Sequence, residues 1–201
     1  MIELVVATRN RHKTREIEDI LGPQFSVRDL AAHRDVPEIR ESGTSFEENA
    51  KYKALTASRQ LPVMVIADDS GLEVDALGGA PGIYSARYAG ANATDRDKID
   101  KLLRELERVR VTDDRRHARF RCVVALARNG DLLGMFEGTV QGRITDTARG
   151  DSGFGYDPIF VPDGFEQTFG ELSEEMKNTI SHRAKAIRAL ADRLQRLEFG
   201  G

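Results

Sequence analysis

The chain has 201 residues, 40% of them hydrophobic and 31% charged, with a formal net charge of −3. This length and balance suit one globular domain, residues 1–201, with enough apolar content for a sizeable core. The charge gives no general attraction to polyanions, which disfavours a nucleic-acid partner, and no run of about 18 apolar residues or signal-like N-terminus suggests a membrane segment.

Ile2 to Ala7 is short, apolar and β-branched, and Ile17, Ile20 and Leu21 then follow at helical spacing. A strand, loop and helix are predicted. Thr44 and Ser45 stand three residues before Glu47 and Glu48, a doubled capping-box pattern for a helix reaching about Arg59. Val63 to Ala67 reads as a buried strand that ends in Asp68-Asp69-Ser70-Gly71, and Leu77 to Gly82 reads as a loop from its glycines and proline.

Thr94 can cap a helix whose apolar positions are Ile99, Leu102, Leu103 and Leu106. Ala118 to Ala127 and Leu132 to Val140 are strand-like and meet at Asn129-Gly130, a dipeptide favoured in tight hairpins. A last helix is predicted from near Ser181 to about Leu197, with Ile187, Leu190, Ala191, Leu194 and Leu197 on one face. Strands interleaved with helices, plus one hairpin, predict an α/β fold around a mixed sheet. The single cysteine, Cys122, cannot form an internal disulfide and lies in an apolar run, which suits a buried thiol in a reducing cytoplasm.

Five groups of residues could carry chemistry. Thr8, Arg9, Asn10, Arg11, His12 and Lys13 gather hydroxyl, amide and cationic donors where a strand gives way to a helix, a setting that suits phosphate and equally suits simple capping. The chain has no glycine-rich Walker loop. Adjacent Asp68 and Asp69 repel each other unless a cation or hydrogen bonds offset the charge, which points to a divalent metal; an Asp-Ser-Gly surface turn is the plainer alternative. Their side chains should point to opposite faces of an extended strand.

Glu41, before the second predicted helix, could complete an oxygen-rich site or be an ordinary exposed glutamate. Phe154, Gly155, Tyr156 and Asp157 combine aromatics with glycine, so Phe154 could stack on a base or plug the edge of a core. Lys177, His182 and Arg183 collect donors near the last helix, although His182 also reads as a structural cap. His12, His33 and His117 show no zinc spacing with one another or with Cys122.

Six pieces occur in one order: Thr8-x-Asn10-x-x-Lys13, Glu41-Ser42-Gly43-x-x-Phe46-x-x-Asn49-Ala50, Ala67 to Leu72, Gly78 to Tyr88, Gly153 to Pro158 and Ile180 to Arg183. Together they resemble the inosine triphosphate pyrophosphatases, also called dITP/XTP pyrophosphatases, from residue 8 to residue 183. The resemblance implies an elongated α/β fold with a long central mixed sheet, two lobes with an active-site cleft between them, and a homodimer. It also implies magnesium-dependent hydrolysis of ITP, dITP and XTP to the monophosphate and pyrophosphate, a cleansing of the nucleotide pool. Arg9 departs from the small residue, often glycine, expected after Thr8.

Carried over by residue, the resemblance makes Asp69 the catalytic carboxylate and a metal ligand, Glu41 a second ligand and Asp68 a supporting acid. Thr8, Asn10 and Lys13 would hold the triphosphate, with Ser70 and Lys53 nearby. Phe154 would stack on the base, and Lys177, His182 and Arg183, with the backbone of Gly155, Tyr156 and Asp157, would read its edge. Such donors satisfy O6 of hypoxanthine or xanthine and oppose the amino group of adenine, whereas guanine also carries O6. Two alternatives compete: a pyrophosphatase for modified pyrimidine nucleotides, and a nucleotide sensor that does not hydrolyse.

Overall fold

The computed structural model describes residues 2–33, 35–37, 39–110, 112 and 116–199, the side chains of 197–199 excepted. The elements in order are β1 Ile2–Val6, α1 Arg11–Leu21, β2 Phe25–Asp29, α2 Phe46–Ser58, β3 Met64–Val74, α3 Asp95–Arg108, β4 His117–Arg128, β5 Asp131–Ile144, β6 Phe160–Pro162, α4 Glu174–Ile180 and α5 His182–Phe199. Short 3-10 turns occupy Asp75–Leu77, Gly82–Arg87 and Asp157–Ile159.

The six strands form one sheet in the order β2-β1-β3-β4-β5-β6. β1 runs parallel to both β2 and β3, and β5 is antiparallel to β6, so the sheet is mixed and the predicted α/β class holds. The turn between β4 and β5 places Asn129 and Gly130 at positive φ, 53° and 86°, the geometry that the Asn-Gly dipeptide favours.

The chain forms two compact units. The first comprises Met1–Asp69, Cys122–Gly138 and His182–Gly201, and the second Ser70–Arg121 and Thr139–Ser181. In the first, Leu4, Val6, Ile66, Val124 and Leu126 of the sheet pack with Ile17 and Leu21 of α1 and Ile187, Leu190 and Leu194 of α5. Cys122 joins this core as a buried free thiol. Leu197 of the predicted α5 face lies outside the described side chains. The second core gathers Leu72 and Val74, Ile99, Leu102 and Leu106 of α3, and Phe120, Phe160 and Phe169. Phe120 meets Phe160 edge-on, with ring centroids 4.7 Å apart.

Caps place the helix starts. Asn10 Oδ1 accepts from His12 N and Lys13 N at the start of α1. Ser45 caps α2 through Glu48 N, and the Glu48 carboxylate reaches back to Thr44 N. Thr94 and Asp97 form a reciprocal capping box on α3.

One prediction is overturned. The strand read as ending at Ala67 continues through Asp68-Asp69-Ser70-Gly71 to Val74, so the acidic pair lies in mid-strand. Buried Leu72 and Val74 give the extension an apolar anchor, and tertiary partners engage both carboxylates, so packing overrides the turn preference of Asp, Ser and Gly. β2, β6 and α4 were not predicted. Lys177 accordingly sits inside α4 rather than beside the start of α5. None of the described helices is long and apolar enough to cross a membrane.

Candidate active site

In the first unit, α1, α2, α5, β3 and the loop before α2 bring four carboxylates and three cations together. Lys13, in the first turn of α1, pairs its Nζ with Asp68 Oδ2 at 2.9 Å. Arg183, in the first turn of α5, places Nη2 3.4 Å from the same oxygen and pairs Nη1 with Glu16 of α1. Burial would raise the Asp68 carboxyl, but Lys13, Arg183 and Lys53 outweigh it and hold the group far below the usual carboxylate range. Asp68 is therefore a committed anion. Burial likewise disfavours the Arg183 charge, and Glu16 and Asp68 more than restore it.

Asp69 has the opposite setting. Burial pushes its carboxyl up to about 6; Lys53 opposes that rise, Glu41 adds to it, and a hydrogen bond from Asn49 opposes it. Asn49 and Lys53 are one turn apart on α2. Asn49 Nδ2 donates to Asp69 Oδ2 at 2.9 Å. Lys53 Nζ reaches Glu41 Oε1 at 2.6 Å and the Asp68 carbonyl at 2.5 Å, and stands 4.0 Å from Asp69 Oδ1. Burial works against the Lys53 charge, but Asp68, Glu41 and Asp69 raise its pKa on balance.

Different partner sets for Asp68 and Asp69 are what an extended strand demands, because successive side chains leave it in opposite directions. Two neighbouring carboxylates with divergent proton affinities are the arrangement from which acid-base roles are built. Loop geometry brings Glu41 into place: Gly43 N donates to Asn49 Oδ1 at 2.8 Å, tying that segment to α2. A Cβ at Gly43 would stand 2.8 Å from the same Oδ1, so the close approach requires glycine.

The excess of one negative charge, with Glu41 and Asp69 flanking Lys53, suits a hard cation. Among the described residues no three His, Cys, Asp or Glu side chains are arranged to hold a metal alone.

In the second unit, the turn from Ser152 to Asp157 presents Phe154. Phe154 N donates to Asp157 Oδ2 at 2.8 Å, and Lys177 Nζ pairs with that oxygen at 2.7 Å. Lys177 Nζ also lies 4.8 Å from the Phe154 ring centroid, a cation-π contact. Tyr156 Oη donates to Ser85 O at 3.0 Å. A Cβ at Gly153, where φ is +76°, would stand 2.2 Å from Asp157 Oδ2, so this turn also requires glycine.

The Ham1 family model matches residues 4–193. The chain belongs to the Ham1 family. It is 49% identical over 192 residues to a dITP/XTP pyrophosphatase of Bacillus licheniformis, covering 95% of this chain and 97% of that one. A dITP/XTP pyrophosphatase of Shouchella clausii is 48% identical over 195 residues, covering 97% and 98%. The solved structure of a HAM1 protein from Coxiella burnetii superposes with a TM-score of 0.87 at 40% identity, covering 98% of this chain and 100% of that one.

Within this Ham1 chain, the predicted residues divide as follows. Glu41, Lys53, Asp68, Asp69, Lys13 and Arg183 form the first-unit cluster. Phe154, Gly155, Tyr156, Asp157 and Lys177 lie together in the second unit, and Ser70 follows Asp69 there as its first residue. Thr8 Oγ1 accepts from Asn10 N, so Thr8 and Asn10 shape the loop before α1, with Arg11 and His12 exposed in its first turn. His182 is buried as the first residue of α5.

Arg9 does not join the cluster. Its Nη1 and Nη2 donate to the carbonyls of Leu30 and Val36 at 3.0 and 2.8 Å, which anchors the chain after β2. Sequence reasoning also gave no role to Asn49 or Glu16. Asn49 lay inside a matching motif, one turn before Lys53, and that spacing was the available signal. Glu16 meets Arg183 across 167 residues of sequence, and local spacing carries no trace of the contact.

Proposed function

We propose that the chain hydrolyses non-standard purine nucleoside triphosphates, ITP, dITP and XTP, to the monophosphate and pyrophosphate. Its Ham1 membership and its likeness to proteins named dITP/XTP pyrophosphatase support this reading. The observation that carries the chemistry is the split between adjacent carboxylates: Asp68 bound by Lys13 and Arg183, Asp69 bound by Asn49 and poised near neutrality.

Asn49 holds Asp69 Oδ2, so Asp69 Oδ1 takes the proton from an attacking water. The water oxygen forms a bond to the α-phosphorus, the bond from that phosphorus to the bridging oxygen breaks, and pyrophosphate leaves. No covalent protein intermediate is required. Lys13 and Lys53 offset the developing charge, while Thr8, Asn10, Arg11, His12 and Ser70 offer donors to the phosphates. Glu41 and Asp69 would hold magnesium, which when bound supplies charge neutralisation and a more acidic water.

Phe154 stacks on the base. Lys177, His182 and the backbone of Gly155, Tyr156 and Asp157 offer donors to its edge. Arg183, buried and paired with Glu16 and Asp68, completes the donor set in this reading. We also propose a homodimer working in the cytoplasm; light scattering and fractionation test those two points.

The test of function is purified protein with ITP, XTP, GTP, ATP and dUTP, with and without magnesium, detecting phosphate and pyrophosphate separately. Fast pyrophosphate release from ITP and XTP, dependent on magnesium, is expected. Preference for dUTP would favour the pyrimidine reading, and tight binding without turnover would favour a sensor.

A further inference from the structure

Phe154 is fixed from both sides by carboxylates. Asp157 Oδ2 accepts from the amide before its Cα, Phe154 N, at 2.8 Å. Asp95 Oδ2 accepts from the amide after it, Gly155 N, at 2.7 Å. A residue's φ and ψ are set by its two flanking peptide planes, so holding both amides fixes the direction in which the ring leaves the backbone. The two clamps differ in setting. Asp157 is buried and paired with Lys177, whereas Asp95 is the first residue of α3 and comes from 60 residues away.

The Asp95 carboxylate is itself held. Lys98, one turn along α3, places Nζ 2.5 Å from Asp95 Oδ1, and the Lys98 side chain is largely buried, at 12% exposure. Thr94, at the cap of α3, makes a reciprocal bond pair with Asp97, which fixes the helix start from which Asp95 projects. The Asp95 side chain is 48% exposed, yet one of its oxygens is paired with Lys98 and the other accepts a backbone amide, which restrains it far more than an unpaired surface carboxylate. The turn needs such a fixture because Gly153 and Gly155 both adopt positive φ, at 76° and 65°, and glycine loses more conformational freedom on ordering than any other residue.

We propose that Asp95 is a positioning residue for nucleotide recognition, acting through Gly155 to hold the Phe154 ring in its base-stacking orientation, with Lys98 steadying it. The inference rests on Phe154 being the base platform. Asp95 touches neither the reacting phosphorus nor the first-unit carboxylates in this account. Its loss therefore weakens substrate capture and leaves the bond-breaking step. Discrimination should suffer too, since a loosely held ring tolerates more than one base pose.

The test is a double-mutant cycle on ITP hydrolysis using Asp95→Ala, Phe154→Ala and the double variant, with Asp95→Asn as the conservative replacement. Asp95→Ala should raise KM about tenfold, the scale of one charge-assisted hydrogen bond, with kcat within about threefold. Asp95→Asn keeps an acceptor oxygen and should recover most of that loss. If Asp95 acts through the ring, the double variant has the KM of Phe154→Ala alone. Amide hydrogen exchange at Gly155 should quicken in Asp95→Ala without a matching change across the α3 core.

Additive KM effects, or unchanged KM and Gly155 exchange in Asp95→Ala, would overturn the proposal while Phe154→Ala still raises KM. An unchanged KM in Phe154→Ala would instead remove the base-platform reading itself. Should Asp95→Ala fold poorly, Asp95→Asn and Lys98→Met carry the same comparison, and unchanged Gly155 exchange in both again overturns the proposal.

Discussion

Asn49 Nδ2 donates to Asp69 Oδ2 at 2.9 Å while Asn49 Oδ1 accepts from Gly43 N at 2.8 Å, so one buried amide joins the catalytic candidate to the segment carrying Glu41. Both contacts need a side chain with a donor and an acceptor. Asn49→Leu keeps the approximate volume and leaves both partners unsatisfied. It should lower unfolding free energy by about 1–3 kcal/mol and cut kcat, and urea denaturation with steady-state kinetics measures both. The variant also removes a hydrogen bond that lowers the Asp69 pKa, so the acid limb of its pH-rate profile should move to higher pH.

Burial is the largest cause pushing Asp69 up to about 6, and this has a cost in stability. The folded state binds that proton more tightly than the unfolded chain. Stability therefore falls as pH rises between about 4 and 6, and the full penalty of about 3 kcal/mol is present above that window. Asp69→Asn removes the charge and keeps an acceptor for Asn49. In metal-free buffer it should be more stable than the parent at pH 7.5, with the gain shrinking towards zero by pH 4. Asp68→Asn should do the reverse, losing stability at pH 7.5, because Asp68 has a depressed pKa and stabilises as an anion. Chemical denaturation across that range separates the two.

Gly138 of β5 lies against the start of α5, where a Cβ would be 2.0 Å from the His182 carbonyl oxygen and 2.7 Å from Ala186 N. Both neighbours are backbone, so Gly138→Ala must shift the helix start. Overpacking of that kind costs about 1–3 kcal/mol. Because Arg183 reaches Asp68 from that first turn, kcat/KM for ITP should fall with stability, and a parallel loss in thermal melts and turnover would bear this out.

Much of the fold was legible because its signals are local. The Asn129-Gly130 hairpin, the caps at Asn10, Ser45 and Thr94, and the apolar spacing of α3 and α5 each lie within a few residues. The central stretch of β3 was misread for the opposite reason. Asp68, Asp69, Ser70 and Gly71 favour a turn when taken alone, and the stretch stays extended through contacts distant in sequence, among them Lys13, Arg183, Asn49 and Lys53, and through buried Leu72 and Val74. The same limit hid Glu16, and it hid the hydrogen bonds that the Arg9 guanidinium donates to the carbonyls of Leu30 and Val36. Short β6 and α4 carry too few residues for a periodic pattern.

Lys177 and Asp157 form a buried pair at 2.7 Å, with side-chain exposures of 5% and 4%. Lys177→Met leaves the Asp157 charge uncompensated and should destabilise by about 3–5 kcal/mol, whereas pairing it with Asp157→Leu should recover part of that loss. Urea denaturation of the two single variants and the double variant measures the coupling. Full additivity would mean that the pair does not act as a unit.

The central claim is that water, deprotonated at Asp69, attacks the α-phosphorus directly. Single-turnover hydrolysis of ITP by excess enzyme in 18O-enriched water, with mass analysis of every product, tests it. Direct attack puts the label in the phosphate of IMP and leaves pyrophosphate unlabelled. Label in pyrophosphate, or in the Asp69 carboxyl with IMP left unlabelled, would contradict it.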